Sequence, residues 1–407
     1  LQRPALRRSR LPGTFRRVLL VTLASAAFAL VPTRNEDGEL VVGVVDNQWR
    51  FWGLLATTLV GYGLFAWLLR LGRRMPQRLA GLLLAGVMGF SFLYGNVHLS
   101  IAKYAQWYND ADYVAQTWGQ AEELRGTLPQ DAFYRLDTYE CYNNIGVWLD
   151  RPCINCFHST VAPHILEFYP SVGVTRDVNS KPEVSLYALR GLLSVRYTLV
   201  PRDKVADWEE QALQGWALAA TTDQYALYEN ENWVPMGLTY DYYITPEEFD
   251  QLPEDQRAAV LMKALLLTEE QAAASSLAPL PEDQRSDCSW EAYVQDCADR
   301  RATAAEDFTA TRTGFTAKVR QDTETLVLFA VPYDDGFSAT VNGQPAEILS
   351  VDNGLMAVQV PAGESDIVFT YRTPGLRLSA GISLSALAGY AVYLLVLRRR
   401  RQAAKTA

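Results

Sequence analysis

Four long apolar stretches stand out from an otherwise polar chain. They cover residues 18–31, 51–69, 79–95 and 378–397. A helix that crosses the hydrocarbon core of a bilayer needs about 20 apolar residues, within a range of about 17 to 25. The second, third and fourth stretches reach this length, and the first is short. The pattern predicts an α-helical membrane protein with four spans and one large polar region.

Acidic residues avoid these stretches. No Asp or Glu precedes Glu36, lies between Asp46 and Asp110, or follows Asp366. The average composition of the 407 residues, 49% hydrophobic and 20% charged, hides this separation. The separation excludes a soluble cytosolic enzyme, a disordered chain and a simple nucleic-acid binder.

Basic residues predict the orientation of the spans. If each stretch crosses once, 15 of the 37 basic residues lie on one side of the membrane. The positive-inside rule places that side, with both chain ends, in the cytoplasm. The other 22 basic residues and all 46 acidic ones then lie outside, a net charge of −24. This acidity disfavours nucleic acid and anionic lipid as partners. The 15 are Arg3, Arg7, Arg8, Arg10, Arg16, Arg17, Arg70, Arg73, Arg74, Arg78, Arg398, Arg399, Arg400, Arg401 and Lys405.

The first stretch has an alternative interpretation. An Arg-rich start, a short apolar core and the small-residue pattern Ala27-Phe28-Ala29 are also typical of a secretory signal peptide. A spanning helix is favoured because the chain starts at Leu1 without an initiator Met, as expected for the carboxyl-terminal part of a longer protein. Both interpretations leave the polar region outside.

Small residues recur every four positions in two spans. Such faces let helix backbones approach closely, so we expect them to pack together or against membrane helices missing from this chain. The alternative is that Gly and Ala are simply common in membrane helices. The two sets are Gly81, Ala85 and Gly89, and Gly381, Ser385 and Gly389.

The polar region reads as an α/β part followed by an all-β part. Periodicity predicts a helix over 112–124 and strands over 133–139, 192–200, 216–221 and 225–228. A helical zone over 247–267, which Pro253 kinks or divides, and a linker over 271–285 follow.

The whole chain is predicted to contain six parts. They are a cytoplasmic basic segment (1–17), three membrane helices (18–97), an extracytoplasmic α/β domain (98–312), a β-sandwich module (313–375), a last membrane helix (376–397) and a cytoplasmic tail (398–407).

Alternation of apolar and polar residues begins near residue 313. The pair Asn342-Gly343 is a strong hairpin signal because both residues tolerate positive φ, and Asp352-Asn353-Gly354 predicts another turn. Six short strands with turns at this spacing predict a small antiparallel β-sandwich.

The five cysteines all lie in the polar region, where thiols can be oxidised, so disulfides are the first interpretation. Cys288 and Cys297 can pair only if Cys288 lies outside the helix that begins near Trp290. Cys141 could pair with Cys153 or with Cys156, which leaves one thiol over. The Cys153–Cys156 CxxC with His158 and His164 is a weaker candidate for zinc, since no second ligand pair follows. A thioredoxin-like role is weaker still.

The segment around residues 157–190 is the richest in reactive side chains. A Ser159, His158 and Asp177 triad is disfavoured because adjacent Ser and His rarely reach the required geometry. The residues could form a polar network that holds a loop, or contact a phosphate or sugar on which nearby aromatics stack. The candidate substrate contacts are His158, Ser159, Thr160, Arg176, Asp177 and Arg190, and the aromatics are Tyr139, Tyr142, Trp148, Phe168 and Tyr169.

The chain contains no P-loop, GxGxxG, HExxH or GxSxG motif, so its motifs define no enzyme class, metal or cofactor. Seven separated segments nevertheless resemble, in the same order, the carboxyl-terminal half of the YfhO-like bacterial membrane proteins. They are 133–137 (FYRLD), 143–144 (NN), 157–160 (FHST), 191–197 (GLLSVRY), 235–237 (PMG), 332–337 (PYDDGF) and 341–343 (VNG).

The resemblance implies a multi-spanning glycosyltransferase of the GT-C type. Such enzymes move a sugar from a polyprenyl-phosphate donor to a cell-envelope polymer, for example lipoteichoic acid, at the outer membrane face. A carboxylate near the first outer loop generally serves as base or orients the acceptor, and we expect that region to precede this chain. No catalytic residue is therefore expected here, and the chain would serve in acceptor recognition or support.

Two features depart from the family pattern: the cluster of Cys141, Cys153 and Cys156, and Asn342, where an acidic turn residue is usual. Two alternative functions remain open. One is a non-catalytic, membrane-anchored protein that binds envelope glycan, and the other is a transporter subunit.

Overall fold

A computed structural model describes residues 4–34, 40–45, 47–104, 122–176, 178–212 and 214–406. The chain divides into two compact units, Leu1–Gln116 and Thr117–Ala407. Most of the predicted helix at 112–124 lies outside the described residues, although residues 122–127 are helical.

The first unit is mainly helical. Its helices are α1 (Pro4–Ser25), α2 (Gln48–Arg74) and α3 (Leu79–Tyr104), with 3-10 turns at Ala26–Ala29 and Pro76–Arg78 and a hairpin of β1 (Pro32–Arg34) and β2 (Leu40–Val42). The side chain of Asn47 caps α2 by accepting a hydrogen bond from Arg50 N at 2.8 Å.

Three described helices are long and apolar enough to cross a membrane: Gln48–Leu71, Leu79–Ser100 and Leu376–Arg399. The stretch at 18–31 is not among them. It is helical only to Ser25, continues as a 3-10 turn, and meets a strand at Pro32. The fourth span therefore stays a prediction.

Helices α2 and α3 pack where a glycine on one meets a large side chain on the other. A Cβ built at Gly61 would lie 2.5 Å from the Phe90 ring, and one built at Gly86 would collide with Leu68. The predicted small-residue face does not form this contact, because Gly81 and Gly89 face open space. The contact between these helices thus places large side chains against Gly61 and Gly86, two glycines outside the predicted face.

A mixed four-stranded sheet opens the second unit. Its strand order is β3 (Arg135–Thr138), β6 (Val195–Pro201), β8 (Tyr225–Asn230) and β7 (Trp216–Thr221), and only β3 and β6 are parallel. Parallel strands need a long crossover, which is supplied by residues 139–194. The crossover contains α4 (Ile145–Trp148), α5 (Ile165–Ser171), α6 (Tyr187–Leu192) and the small β4 (Cys156–Phe157)–β5 (Asn179–Ser180) pair.

The predicted strand over 192–200 begins later than expected. Helix α6 ends at Leu192, and Ser194 turns the chain with a φ of 56°, so β6 starts at Val195. The predicted strand over 216–221 is confirmed, and that over 225–228 extends to Asn230. Helix α7 (Val205–Gln211) lies between β6 and β7.

The predicted helical zone over 247–267 is only partly helical. Pro253 divides it, as predicted, into α8 (Pro246–Asp250) and α9 (Glu254–Val260). Its last part is a strand, β11 (Ala264–Leu266), which lies parallel to β10 (Tyr242–Ile244). Periodicity cannot separate the two possibilities in a short, wholly buried apolar run.

The predicted linker over 271–285 was wrong, because this segment is structured. It contains α10 (Glu269–Ala274), β12 (Ala278–Pro279) and α11 (Glu282–Ser286). The missed signal is a capping box between Thr268 and Gln271. Helix α12 (Trp290–Thr303) follows.

Two antiparallel sheets form the carboxyl-terminal part of the polar region. One has the order β13-β14-β20-β16-β17, and the other β18-β19-β15-β9. Phe315 and Phe369 of the first sheet pack against Phe329 of the second, with ring centroids 5.0 and 5.3 Å apart. The strands are β9 (Leu238–Thr239), β13 (Asp307–Thr311), β14 (Gly314–Gln321), β15 (Thr325–Pro332), β16 (Phe337–Val341), β17 (Gln344–Ala346), β18 (Leu349–Val351), β19 (Leu355–Val360) and β20 (Gly363–Tyr371).

These sheets share their core with the rest of the polar region. Strand β9 comes from before residue 313, and one cluster of buried side chains extends from Ile154 to Phe369. The predicted Asn342-Gly343 hairpin is confirmed, with φ values of 52° and 77°. Helix α13 (Leu376–Thr406) follows the sheets, and none of the residues in its apolar stretch is buried, as expected for a helix that contacts lipid.

Candidate functional site

A recess of about 240 Å³ lies where the crossover segment meets β3 and the second carboxyl-terminal sheet. We name it the Arg176 recess. It is smaller than the roughly 300–1,000 Å³ of pockets that hold drug-sized ligands. Its walls are Arg135, Cys153, Ile154, Cys156, His158, Thr160, Val161, Ala162, Ile165, Phe168, Tyr169, Arg176, Leu193, Ala330, Pro332 and Leu355.

Asn144 and Asn155 hold the crossover segment in place. Asn144 donates to Phe157 O and accepts from Phe157 N, both at 2.8 Å. Asn155 donates to Asp137 Oδ1 at 3.0 Å. The chain around His158 is tied further, because His158 N donates to Val178 O at 2.8 Å. These bonds fix the rim of the recess.

Arg176 is the most distinctive residue of the recess. Its side chain is 8% exposed, yet Nε and Nη1 are shielded from water and have no hydrogen-bond acceptor within the described part of the chain. A buried donor without an acceptor costs roughly 1–3 kcal/mol, and more when the group is charged. Arg176 therefore carries a charge that its described surroundings do not compensate.

Arg135 adds a second positive charge. It donates from Nη1 to Leu193 O at 2.8 Å and from Nη2 to Ala330 O at 2.7 Å, which joins β3 to β15. Burial lowers the pKa of Arg135 to about 10, so the side chain stays protonated at neutral pH. None of the described residues that line the recess is an Asp or Glu. The recess is thus cationic although the polar region is acidic overall.

Arg190, another candidate, lies elsewhere. It is 3% exposed, and its Nη2 lies 2.8 Å from Asp137 Oδ2 in a buried ion pair. Its other donors bond to Pro182 O at 2.9 Å and Leu186 O at 3.0 Å. The pair with Asp137 joins α6 to β3, and the carbonyl acceptors lie in the segment just before α6.

The other candidates divide between the rim of the recess and positions away from it. His158 and Thr160 line the recess, and the exposed Ser159 between them does not. Asp177 lies outside the described residues. The structure thus brings Arg176, His158 and Thr160 together, and it adds Arg135, which was quoted only as part of a motif.

The aromatic candidates are mostly not free to stack on a sugar. Phe168 and Tyr169 are buried in the core, and Tyr169 donates to Ile154 O at 3.3 Å. Tyr139 accepts a hydrogen bond from Gln211 at 2.7 Å. Tyr142 keeps 48% of its surface exposed.

All five cysteines are free thiols in the structure, so the predicted disulfides are not formed there. Cys288 does lie outside α12, as pairing with Cys297 would require. Burial is the main cause that raises the pKa of Cys153 to about 12 and that of Cys297 to about 12. Both thiols are neutral at pH 7, which disfavours nucleophilic or metal-binding roles.

No group of three His, Cys, Asp or Glu side chains able to hold a metal ion occurs among the described residues. His164, a candidate zinc ligand, instead pairs through Nδ1 with Glu167 Oε2 at 2.8 Å. Its ring packs edge-on against Tyr333, with centroids 5.3 Å apart.

The spanning helices and the polar region define a membrane protein with one large folded domain. The family described as Bacterial membrane protein YfhO matches residues 13–293 and 288–383. The match covers most of the chain, and the chain belongs to this family.

Two solved structures also match. They are ArnT from Cupriavidus metallidurans in the apo state (12% identity, TM-score 0.24) and the same protein bound to undecaprenyl phosphate (11% identity, TM-score 0.23). The matches cover 56% and 54% of this chain but only 38% and 36% of the ArnT chains. The chain thus spans well under half the length of these structures. No curated protein matches it.

The segments that carry the family resemblance converge on the Arg176 recess. Arg135, His158, Thr160, Leu193 and Pro332 come from four different segments of the resemblance, and all five line the recess. The segments lie up to about 200 residues apart in the chain, so their meeting follows from the fold alone. The position of Arg135 between Tyr134 and Leu136, both buried, was the signal that could have identified it.

Proposed function

We propose that this chain is part of a membrane glycosyltransferase. It transfers a sugar from a polyprenyl-phosphate donor to a cell-envelope polymer of the teichoic-acid type at the outer membrane face. Membership of a bacterial membrane protein family and three helices able to cross a bilayer support the location. The resemblance of the seven motif segments supports the activity. A sugar held by a lipid cannot leave the membrane, so the acceptor must be bound beside it.

The role proposed for the polar region is to bind this acceptor. The observation that carries the proposal is that four separated family segments build one cationic recess. A recess with Arg176 and Arg135 and no carboxylate among its described walls favours a negatively charged ligand. Envelope polymers of the teichoic-acid type are polyanions and fit this preference.

The proposed reaction exchanges one bond of the anomeric carbon for another. The bond to the donor phosphate oxygen breaks, and a bond to an acceptor hydroxyl oxygen forms. The hydroxyl proton passes to a base, and polyprenyl phosphate leaves with the electron pair of the broken bond. None of the described residues is assigned as this base.

The proposed orientation places the polar region outside the cell. Arg70 lies at the end of the first candidate span, and Arg74 and Arg78 lie between that span and the second. Arg398 and Arg399 end the third candidate span, after the apolar part of α13. Helices inserted with these arginines in the cytoplasm hold the polar region on the opposite side. The stretch at 18–31 is the proposed fourth span, and the small-residue faces of α3 and α13 are proposed contacts for further membrane helices.

The second candidate function is a membrane-anchored protein that binds envelope glycan without transferring sugar. One observation favours it: the described walls of the recess contain no Asp or Glu to act as general base. The two functions predict different results when donor is supplied.

Transfer is tested with membrane vesicles that contain the full-length protein and a polyprenyl-phosphate donor with a radiolabelled sugar. The proposal predicts that label moves to the added polymer, and that vesicles from a deletion strain show no such transfer. Sugar analysis of the envelope polymer from the deletion strain should show the matching loss. Polymer binding with unchanged sugar decoration would instead establish the second candidate.

A further inference from the structure

We propose that the Arg176 recess binds a single phosphate group of the acceptor polymer. This inference rests on the proposed function for the identity of the ligand, but the recess itself is defined by the structure. It goes further because it names the chemical group and the residue that recognises it.

The first argument is the uncompensated charge of Arg176. Arg176 lines the recess and is more than nine-tenths buried, and its Nε and Nη1 have no acceptor among the described residues. Folded proteins pair or hydrogen-bond nearly all such buried groups, so each exception needs an explanation. An oxyanion in the recess supplies the missing negative charge.

The second argument is the contrast with neighbouring cations. Arg190 is saturated by Asp137 and by backbone carbonyls, and Arg135 uses Nη1 and Nη2 to join two strands. Arg190 lies away from the recess, and Arg135 lines it with both terminal nitrogens already bonded. Arg176 also lines the recess, but its Nε and Nη1 have no acceptor among the described residues. Arg135 also keeps the recess cationic, which disfavours a neutral sugar as the primary ligand.

The third argument is the combination of size and polarity. About 240 Å³ accommodates a phosphate with the small units on either side of it, and is too small for several sugar rings. Thr160 and His158 at the exposed rim offer neutral groups that can bond to further phosphate oxygens. A phosphodiester of the polymer keeps two non-bridging oxygens that share one negative charge and can accept these bonds.

Because the polar region is acidic overall, we expect the polymer to contact it at the recess and not along an extended surface. A polyanion approaching a region with a large excess of carboxylates is repelled, so attraction arises only where the recess excludes those carboxylates. Partly buried pairs are screened less by salt than exposed ones. We therefore expect binding of one phosphate group at a time rather than attachment along a basic surface.

The test is binding to the purified full-length protein in detergent, measured by isothermal titration calorimetry. The probes are inorganic phosphate, glycerophosphoglycerol as a mimic of the polymer repeat, a short-chain prenyl phosphate as a mimic of the donor, and glucuronate as a carboxylate. The proposal predicts that glycerophosphoglycerol binds at least as tightly as the prenyl phosphate and more tightly than glucuronate. Tighter binding of prenyl phosphate would assign the recess to the donor, and tighter binding of glucuronate would overturn the choice of phosphate.

Variants of Arg176 test whether this residue binds the phosphate. Arg176→Gln should weaken binding of glycerophosphoglycerol by roughly tenfold to hundredfold, the usual range for losing a charged hydrogen-bonding partner. Arg176→Lys should recover part of the loss because it keeps the charge. The control Arg320→Gln removes an exposed arginine that pairs with Glu364 away from the recess, and this variant should bind like the wild type. Affinity of Arg176→Gln within twofold of the wild type would overturn the proposal.

Thermal unfolding separates loss of binding from misfolding. If Arg176 serves a ligand, Arg176→Gln should unfold at the same temperature as the wild type or higher, but glycerophosphoglycerol should no longer raise that temperature. A lower unfolding temperature without ligand would mean that Arg176 is structural, which contradicts the proposal. No donor sugar is present in these assays, so phosphate binding can be observed even if the protein transfers no sugar. Sugar transfer can likewise be observed even if the recess binds no phosphate.

Discussion

The crossover segment contains two buried arginines with different surroundings. Arg190 is enclosed by Asp137 and three backbone carbonyls, whereas Arg176 has two buried nitrogens without an acceptor in the described residues. Both were candidate ligand contacts because both are cations in a segment rich in polar residues. The comparison shows that burial alone does not mark a binding site. What distinguishes Arg176 is that the protein buries its charge and leaves it uncompensated.

The largest expected effect on stability comes from removing one partner of the buried ion pair between Arg190 and Asp137. Arg190→Met leaves Asp137 as an unpaired buried charge, and removing one partner of a buried ion pair costs roughly 3–5 kcal/mol. We expect this loss in the free energy of unfolding of the polar region, measured by urea titration followed by tryptophan fluorescence. The double variant Asp137→Leu with Arg190→Met is the control. It should regain much of the stability, and if it does not, the loss has another origin than the unpaired carboxylate.

Asp352 is a third buried ionisable group, and like Arg176 it has a side-chain atom without a hydrogen-bond partner among the described residues. Asp352 is fully buried, accepts one hydrogen bond from Leu266 N at 2.8 Å, and has no partner for Oδ2 among the described residues. Burial raises the pKa of Asp352 from its usual 3.8 to about 7. The folded state therefore binds the proton more tightly than the unfolded state does.

The sign of the resulting pH dependence follows directly. The stability contribution of protonated Asp352 is fully present below about pH 4 and is lost as the pH rises to about 7. At about 1.4 kcal/mol per pH unit, the loss is on the order of a few kcal/mol. Asp352→Asn keeps an oxygen for Leu266 N and cannot ionise, so its unfolding free energy should vary less between pH 4 and 7. Equal pH profiles for the two proteins would contradict this prediction.

The smallest expected effect on stability comes from Arg176. Arg176→Met removes a charge that has lost its hydration without gaining an acceptor, so the free energy of unfolding should stay within about 1 kcal/mol of the wild type or rise. The same urea titration measures it beside Arg190→Met. A loss as large as that of Arg190→Met would show that the two arginines play the same structural part, and the contrast between them would fail.

Local signals in the sequence predicted much of the fold. The Asn342-Gly343 hairpin, the division at Pro253 and the strand over Trp216–Thr221 each follow from turn chemistry or alternation within a few residues. The strand Ala264–Leu266 was missed because a short buried run has no period of its own. Its identity depends on pairing with Tyr242–Ile244, which local sequence does not encode.

The candidate site was predictable only in part. The polar segment drew attention to His158, Thr160 and Arg176, and these three do meet at the recess. The sequence could not separate Arg176 from Arg190, because the carboxylate that saturates Arg190 is 53 residues away, at Asp137. Arg135 was missed for a similar reason, since the recess becomes cationic only when β3, Leu193 and Ala330 come together.

The most direct test of the proposed site is complementation of a deletion strain. Wild-type protein and Arg320→Gln, expressed to equal levels, should restore the sugar on the envelope polymer, and Arg176→Gln should restore little of it. Full restoration by Arg176→Gln would contradict the claim that the polar region binds the acceptor through this recess.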